Sequence, residues 1–169
     1  MVTLSPNMIE PYRNPIAYQD HQEFLVYSSF SEFVEYLPSI NSTLNVEVGS
    51  ADIFTVVPIQ VLQTTKSTTK IAPIGLRAMY NPNGCITHKS SNSKNSLQLK
   101  TIGCGKFLVA TTVENIRITL LDKNSDIMTE VVREGIQYGS REAESFFIIQ
   151  FELPPSNGDE QLIEISLRN

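Results

Sequence analysis

The stretch Ile71-Ala72-Pro73-Ile74-Gly75-Leu76-Arg77-Ala78-Met79-Tyr80-Asn81-Pro82-Asn83-Gly84-Cys85-Ile86 decides how this chain folds. It is the centre of a longer segment, residues 44–104. Pro73 and Gly75 break any long helix, because proline lacks an amide donor and glycine is a poor helix former. The Asn-Pro-Asn-Gly run is typical of a tight turn, since proline presets φ and Asn-Gly tolerates positive φ. The stretch therefore predicts two β segments joined by a structured corner with at most one helical turn.

The segment that leads into this centre, residues 52–62, is rich in β-branched and aromatic residues. These residue types favour a pleated, half-buried strand. Pro58 removes one donor from the strand ladder, and a strand proline is tolerated at a sheet edge or a bulge. We therefore predict a strand that bends at Pro58.

Short apolar or alternating runs, separated by turn signals, continue along the rest of the chain. They are residues 44–48, 97–102, 107–113, 116–120, 127–132, 145–153 and 162–167. Polar loops are predicted at residues 88–96 and 154–158. About ten short strands without a convincing long helix predict an all-β fold, an antiparallel β-sandwich. We expect one sandwich domain over residues 21–169, preceded by an irregular, proline-containing leader at residues 1–20.

Residues 22–37 allow two interpretations. Aromatic residues recur at every third position and no glycine or proline interrupts them, which permits a helix. Both flanks are rich in β formers and a serine-rich reversal lies between them, which favours a β-hairpin. We prefer the hairpin. The aromatic row is interpreted as core and not as a sugar-binding platform, because stacking on sugars needs exposed rings and the chain has no tryptophan.

Length and composition are those of one globular domain. The chain has 169 residues, 41% of them hydrophobic, and a mean hydropathy of −0.09. No apolar run reaches the length of a membrane span, and no basic flank followed by an apolar segment marks the first residues. Two cysteines, Cys85 and Cys104, are too few for a disulfide framework. We therefore expect free thiols, a cytoplasmic protein and no membrane partner.

The net charge of −5 is distributed unevenly. Residues 53–113 contain no acidic residue and seven basic ones, Lys66, Lys70, Arg77, Lys89, Lys94, Lys100 and Lys106. Such a segment raises the question of nucleic-acid binding. The bases are spread singly, and no arginine-rich run or RNA-binding aromatic signature accompanies them. We predict that they pair with acidic neighbours or lie at solvated loop tips, and that nucleic acid is not a partner.

No group of residues in the sequence marks a metal site or an acid–base pair. Cys85, His88 and Cys104 are potential zinc ligands, but zinc takes four ligands, or three and water, and no second close pair completes the set. His21 beside Asp20 is not interpreted as a base with its orienting acid, because adjacent strand side chains point to opposite faces.

Two further patterns do not meet the requirements of a glycosidase active site or of a phosphate-binding loop. Asp52 and Glu47 do not form a recognisable pair of glycosidase carboxylates, which must face each other across a sugar. The Gly103-Cys104-Gly105 run lies between predicted strands, whereas phosphate-binding loops need more glycines and lead into a helix. The sequence therefore predicts no catalytic residue, no cofactor-binding residue and no metal ligand.

Four blocks of sequence match a known family in order and spacing. They are ADIFTVVP at 51–58, KIAPIGL at 70–76, MYN at 79–81 with NGCI at 83–86, and GCGKF at 103–107. With these blocks the chain resembles the C-terminal region of raffinose synthases and seed imbibition proteins, which are similar to α-galactosidases. It departs from the family pattern at residues 108–112, where Leu-Val-Ala-Thr-Thr stands in place of a polar, serine-containing stretch, and at the longer segment 124–145.

The resemblance implies a fold and a role. Proteins of this family have a catalytic (β/α)8 barrel, which carries the catalytic aspartates, followed by an all-β domain. We therefore expect a non-catalytic accessory domain in raffinose-family oligosaccharide metabolism, a fragment or truncated paralogue without the barrel. Its expected partner is such a barrel, or a second copy bound through an apolar patch at residues 22–37 and 71–79. The alternative is a stand-alone carbohydrate-binding or protein-interaction module.

Overall fold

The computed structural model describes residues 1–8, 22–31, 33–47, 52–65, 67–79, 81–113, 116–121, 127–130, 134–139 and 145–167. Within these ranges lie fifteen strands: β1 (Val2–Leu4), β2 (Phe24–Ser28), β3 (Val34–Leu37), β4 (Leu44–Val46), β5 (Phe54–Pro58), β6 (Gln60–Gln63), β7 (Thr68–Leu76), β8 (Ile86–Ser93), β9 (Ser96–Thr101), β10 (Gly105–Thr111), β11 (Ile116–Leu121), β12 (Ile127–Glu130), β13 (Glu134–Gly139), β14 (Ser145–Leu153) and β15 (Gln161–Leu167). Two short 3-10 helices, Pro6–Met8 and Pro82–Cys85, are the only helices in the described ranges. The all-β class is confirmed, with more strands than the sequence predicts.

The strands form three sheets and a two-stranded ribbon, and all described pairings are antiparallel. The central sheet has the order β13-β14-β10-β7-β6, and the outer sheet has the order β12-β11-β15-β9-β8. The hairpin sheet has the order β3-β2-β5, and the ribbon pairs β1 with β4. Strands distant in sequence are therefore neighbours in both large sheets.

The first hydrophobic core lies between the central and outer sheets. From the central sheet it takes Leu62, Ile71, Leu76, Phe107, Val109, Ile149, Phe151 and Leu153; from the outer sheet it takes Leu97, Leu99, Ile116, Ile118, Leu120, Ile163, Ile165 and Leu167. In β9, β10, β11, β14 and β15 these residues alternate with residues on the other face, as the two-residue period of a strand requires. In β7, a register shift against β10 brings Ile71 and Leu76, five residues apart, to the same face. This pair of sheets is the predicted antiparallel sandwich.

A second core covers the opposite face of the central sheet and adds a third layer. It joins Ala72, Ile74, Leu108, Ala110, Phe146 and Ile148 of the central sheet to Leu25, Tyr27, Val34, Val57 and Ile59 at the hairpin sheet. Strands buried on both faces read as continuous apolar runs, not alternating ones. The run from Phe107 to Ala110 is such a pattern, with every residue almost fully buried.

The hairpin predicted at residues 22–37 is confirmed as β2 and β3, but its surroundings differ from the prediction. Leu25 belongs to the second core, whereas Phe24 and Val26 point the other way into a third cluster with Leu37. All five residues of β2 are buried. The hairpin is therefore an internal layer, and the prediction that it forms an exposed apolar patch is wrong.

The predicted corner at residues 71–79 is also largely internal. Pro73 and Gly75 do not interrupt β7, which continues to Leu76. Pairing between β6 and β7 extends along β7 only as far as Ile71, which lies opposite Gln60. Pro73 therefore lies on a part of β7 that has no neighbouring strand on the β6 side. A proline is tolerated there because no ladder bond requires its missing amide. Only Met79, at 38% exposure, supplies a large apolar surface in this segment.

Pro58 marks a change of sheet, which agrees with the predicted bend. Strand β5 ends at Pro58 in the hairpin sheet, and β6 begins two residues later in the central sheet. The amide of Ile59, between them, donates to the carbonyl of Glu23 at 2.9 Å. The chain therefore crosses from one layer to the next at this proline.

Two predicted irregular regions contain strands. Val2–Leu4 pairs with Leu44–Val46, so the beginning of the expected leader is structured; residues 9–20 lie outside the described residues. The polar loop predicted at residues 88–96 is mostly the edge strand β8, which pairs with β9 through two register shifts. An edge strand is solvated along one side, so its polar composition resembles that of a loop.

Candidate functional site

The centre of the family-like sequence is a close contact between β7 and the 3-10 helix Pro82–Cys85. Gly75 has φ +110°, and a Cβ built on it would lie 1.8 Å from the carbonyl oxygen of Pro82. The side-chain amide of Asn83 donates to the carbonyl of Pro73 at 2.8 Å. The 3-10 helix is thus hydrogen-bonded to β7 beyond the end of β6. The role of this part of the family-like sequence is therefore structural.

Asp52 closes the turn between β2 and β3. Its carboxylate accepts hydrogen bonds from the hydroxyls of Ser28 (2.6 Å) and Ser31 (2.9 Å) and from the amides of Phe30 (3.1 Å) and Ile53 (2.7 Å). Burial acts to raise the pKa of Asp52, but these four donors stabilise the charged form and the net pKa is lowered. Glu47, considered with it in the sequence, is exposed. Asp52 is therefore a structural anion.

Replacing Asp52 by asparagine is expected to cost about 1–2 kcal/mol at neutral pH, because donors that face a carboxylate would meet an amide. Because the pKa of Asp52 is lower in the folded state than the ordinary value of 3.8, its ionised carboxylate stabilises the protein at pH values above 3.8. This stabilisation is lost as the pH falls through the folded-state pKa. The difference between wild type and variant should accordingly shrink below that pH. Urea unfolding at a series of pH values measures it, and a pH-independent difference would contradict the assigned role.

Glu23, Lys70 and Tyr36 form a polar clamp between the hairpin sheet and the central sheet. Lys70 Nζ lies 3.0 Å from both carboxylate oxygens of Glu23 and 3.3 Å from the Tyr36 hydroxyl. That hydroxyl donates to Glu23 Oε1 at 2.5 Å. Burial, and then the hydrogen bond to Glu23, raise the pKa of Tyr36, so the phenol keeps its proton. The Lys70 ammonium also lies 4.7 Å from the centre of the Tyr36 ring.

Replacing Lys70 by methionine is expected to destabilise the protein by about 1–2 kcal/mol, because it leaves the Glu23 carboxylate without its cation at a partly buried position. Lys100→Met is the matched control, since the Lys100–Glu160 pair is 3.8 Å apart with both side chains about half exposed. Exposed pairs of that kind contribute about 0–1 kcal/mol. Chemical unfolding of both variants tests the difference, and equal losses would mean that the clamp does not join the layers.

The two cysteines are free, as predicted; Cys85 is buried and Cys104 is exposed. Burial raises the pKa of the Cys85 thiol, which disfavours the thiolate. His88 is exposed on β8. Among the described residues, no cluster of three or more His, Cys, Asp or Glu side chains is suited to hold a metal ion. Asp20 and His21 lie outside the described residues.

The basic segment at residues 53–113 meets acids from other parts of the chain. Lys70 pairs with Glu23, and Lys100 with Glu160. Lys106 lies directly opposite Glu152 in the β10–β14 register. Three of the seven bases thus face acidic neighbours, as predicted, whereas Lys89 does not. The absence of a nucleic-acid partner stays a prediction.

Sequence reasoning missed Lys89, which points into the fold. It lies opposite Leu99, a fully buried residue of the first core, so the two side chains share the inward face of the outer sheet. Burial lowers the pKa of Lys89. An inward charge on an edge strand opposes pairing with another sheet, which accounts for a lysine at this position. The bulges of β8 interrupt the alternation of inward and outward residues, so the sequence pattern does not show that Lys89 faces inward.

A cleft lies at one end of the solvent face of the outer sheet. Its volume is about 540 Å³, and it is lined by Lys100, Leu121, Leu162 and residues 158–161. The register places Leu121, Leu162 and Lys100 side by side on β11, β15 and β9. The loop before β15 closes one side. The sequence predicted a site role for none of these residues, because they become neighbours only when β15 inserts between β11 and β9.

Comparison with known proteins identifies the family. The model of the family "Raffinose synthase or seed imbibition protein Sip1" matches residues 4–132. The chain belongs to this family. It is also similar to a probable galactinol–sucrose galactosyltransferase 4 of Arabidopsis thaliana, with 26% identity over 110 residues. That match covers 64% of this chain and 12% of the relative, so the chain spans a small part of the length of the relative that it matches.

The structure shows that the folded unit of this raffinose synthase family member extends past the matched residues. The match begins in β1 and ends after β12. Strands β14 and β15 lie beyond it, yet β14 joins β13 to β10 and β15 joins β11 to β9. Neither large sheet is continuous without them. Across the described residues, no helix is long and apolar enough to cross a membrane.

Proposed function

We propose that this chain is a non-catalytic accessory β-domain that acts in raffinose-family oligosaccharide metabolism beside a catalytic (β/α)8 barrel. Family membership over residues 4–132 is the observation that carries the proposal. The similarity to a galactosyltransferase region that makes up 12% of that protein fits a role as one part of a larger enzyme. The barrel belongs either to the same polypeptide or to a partner.

The engagement of individual carboxylates supports a non-catalytic role. Transfer or hydrolysis at an anomeric carbon needs a nucleophile and an acid–base group, both free to act at a pocket. Asp52 is occupied by four donors in a turn, and Glu23 is held by Lys70 and Tyr36 between two layers. Hydrogen-bonded in this way, neither group is positioned to attack a sugar.

A cytoplasmic location is part of the proposal. Two free cysteines, one of them exposed, are typical of proteins from a reducing compartment. Fractionation of the source cells, with an antibody against the chain, tests the location. Recovery in a secreted fraction would contradict it.

The activity test uses the purified chain with galactinol plus sucrose, with raffinose, and with a chromogenic α-galactoside. No turnover above the no-protein control is expected. Turnover that survives repurification, and that is lost in a folded carboxylate variant such as Asp52→Asn, would overturn the proposal. Circular dichroism of the variant separates a loss of chemistry from a loss of fold.

A further inference from the structure

The cleft on the outer sheet has a preformed floor. Leu121 pairs with Leu162, and Leu162 pairs with Lys100, so their side chains form one row across β11, β15 and β9. Their chain neighbours Ile163 and Leu99 are fully buried in the first core, which directs this row to the solvent face. The row offers the half-buried Leu162 beside the exposed Lys100, with the 8% exposed edge of Leu121 next to it.

The wall of the cleft is fixed by side-chain hydrogen bonds. The Gln161 amide donates to the carbonyls of Gly103 (2.8 Å) and Pro154 (3.0 Å), which ties the loop before β15 to the neighbouring loops. Glu160 Oε1 accepts from the hydroxyl of Thr87 at 2.7 Å. The cleft therefore needs little ordering when a ligand enters, which lowers the entropic cost of binding.

The polar and apolar side chains that line the cleft indicate which class of ligand it binds. Lys100 supplies a donor, Glu160 and Asp159 supply carboxylate acceptors, and the leucines supply an apolar surface. An anion would meet two carboxylates, and a cation would meet the lysine. A neutral polyhydroxylated molecule satisfies both kinds of group, with hydroxyls toward the charges and a C–H face toward the leucines. A cavity of about 540 Å³ has the size of ordinary small-ligand sites.

The polar surface continues along the sheet beyond the cleft. The next row on the same face places Thr119, Glu164 and Gln98 side by side. A carboxylate beside an amide provides both acceptors and donors for adjacent hydroxyl groups. A chain of sugar units that starts in the cleft would therefore meet further hydrogen-bonding groups along the sheet.

We infer that this cleft is a binding site for a short neutral oligosaccharide. One sugar unit lies with its C–H face on Leu162 and the exposed edge of Leu121 and donates hydroxyl hydrogen bonds to Glu160 and Asp159, while Lys100 donates to a hydroxyl oxygen. Only the choice of probe rests on the proposed role in oligosaccharide metabolism. The test measures binding and not turnover, so its failure is distinguishable from a failure of that proposal.

The experiment is an amide ¹H–¹⁵N titration of the full chain with raffinose, with sucrose and with maltotriose, up to their solubility limits. Saturable shifts are expected at residues 121 and 158–162. Lys100→Ala should weaken binding about tenfold, because it removes a charged hydrogen bond. Lys94→Ala, which changes an exposed lysine at the β8–β9 turn, is the matched control and should bind as wild type does.

Leu162→Arg places charge and bulk on the floor and should abolish the shifts, while its dispersed spectrum reports that the chain is folded. A parallel titration with sodium sulfate tests an anion site. The inference is overturned if no sugar produces saturable shifts, or if the shifts map elsewhere. It is also overturned if sulfate alone produces them, or if both Lys100→Ala and Leu162→Arg bind as wild type does.

Discussion

Alanine in place of Gly75 is expected to leave most of the protein unfolded at room temperature. Its Cβ would lie 1.8 Å from the oxygen and 2.4 Å from the carbon of the Pro82 carbonyl, and both are backbone atoms. The 3-10 helix would have to move, which would break the 2.8 Å bond from Asn83 to Pro73. We expect a loss above about 4 kcal/mol, a large share of the stability of an ordinary domain.

Gly105→Ala is the matched control for this prediction. Gly105 has φ +111°, nearly the φ of Gly75, but nothing lies within 4 Å of its added Cβ. Its cost is therefore that of the backbone conformation alone, about 1–3 kcal/mol. Urea unfolding followed by circular dichroism compares the two. If the variants lost equal stability, the close approach at Gly75 would not be what holds the 3-10 helix against β7.

Phe24→Ala has the second largest expected effect. The Phe24 side chain is fully buried in the third cluster, where Val26, Leu37 and partly buried neighbours pack around it. Truncating a buried phenylalanine loses the free energy gained by taking its ring out of water, and it also leaves a cavity. Together these two effects lower the stability by about 3–5 kcal/mol. The midpoint of thermal or urea unfolding measures that cost.

Phe30→Ala provides the comparison within the same hairpin, because Phe30 is 68% exposed. Its effect should stay within about 0.5 kcal/mol. The two phenylalanines are equally spaced members of the aromatic row, so composition and periodicity do not separate them. A small effect of Phe24→Ala would mean that the hairpin sheet is not a packed layer of the fold.

Local features of the chain were predictable where local chemistry decides them. The bend at Pro58 follows from a missing amide donor. The hairpin at residues 22–37 follows from β-rich flanks around a serine-rich reversal. The pairing of Lys70 and Lys100 with glutamates follows from a segment without acids inside a chain of net charge −5.

The candidate cleft and the burial of the hairpin could not be predicted in this way. Leu121, Leu162 and Lys100 are far apart in sequence and meet through two strand registers. An apolar row also does not reveal whether it will face water, a partner or another layer of the same chain. For residues 22–37 the sequence suggested an exposed patch, and the second and third clusters cover it.

By itself, the sequence determined the all-β class, the positions of most strands and the family. Periodicity, turn residues and short matching blocks are properties of neighbouring residues, and these sufficed. Only the tertiary structure decided the layering and the cleft. Strand β14 joins its chain neighbour β13 to the earlier β10, and β15 inserts between the earlier strands β11 and β9. A strand's own pattern does not specify which distant edge it will pair with. That choice depends on the combined burial of all layers, which no local pattern contains.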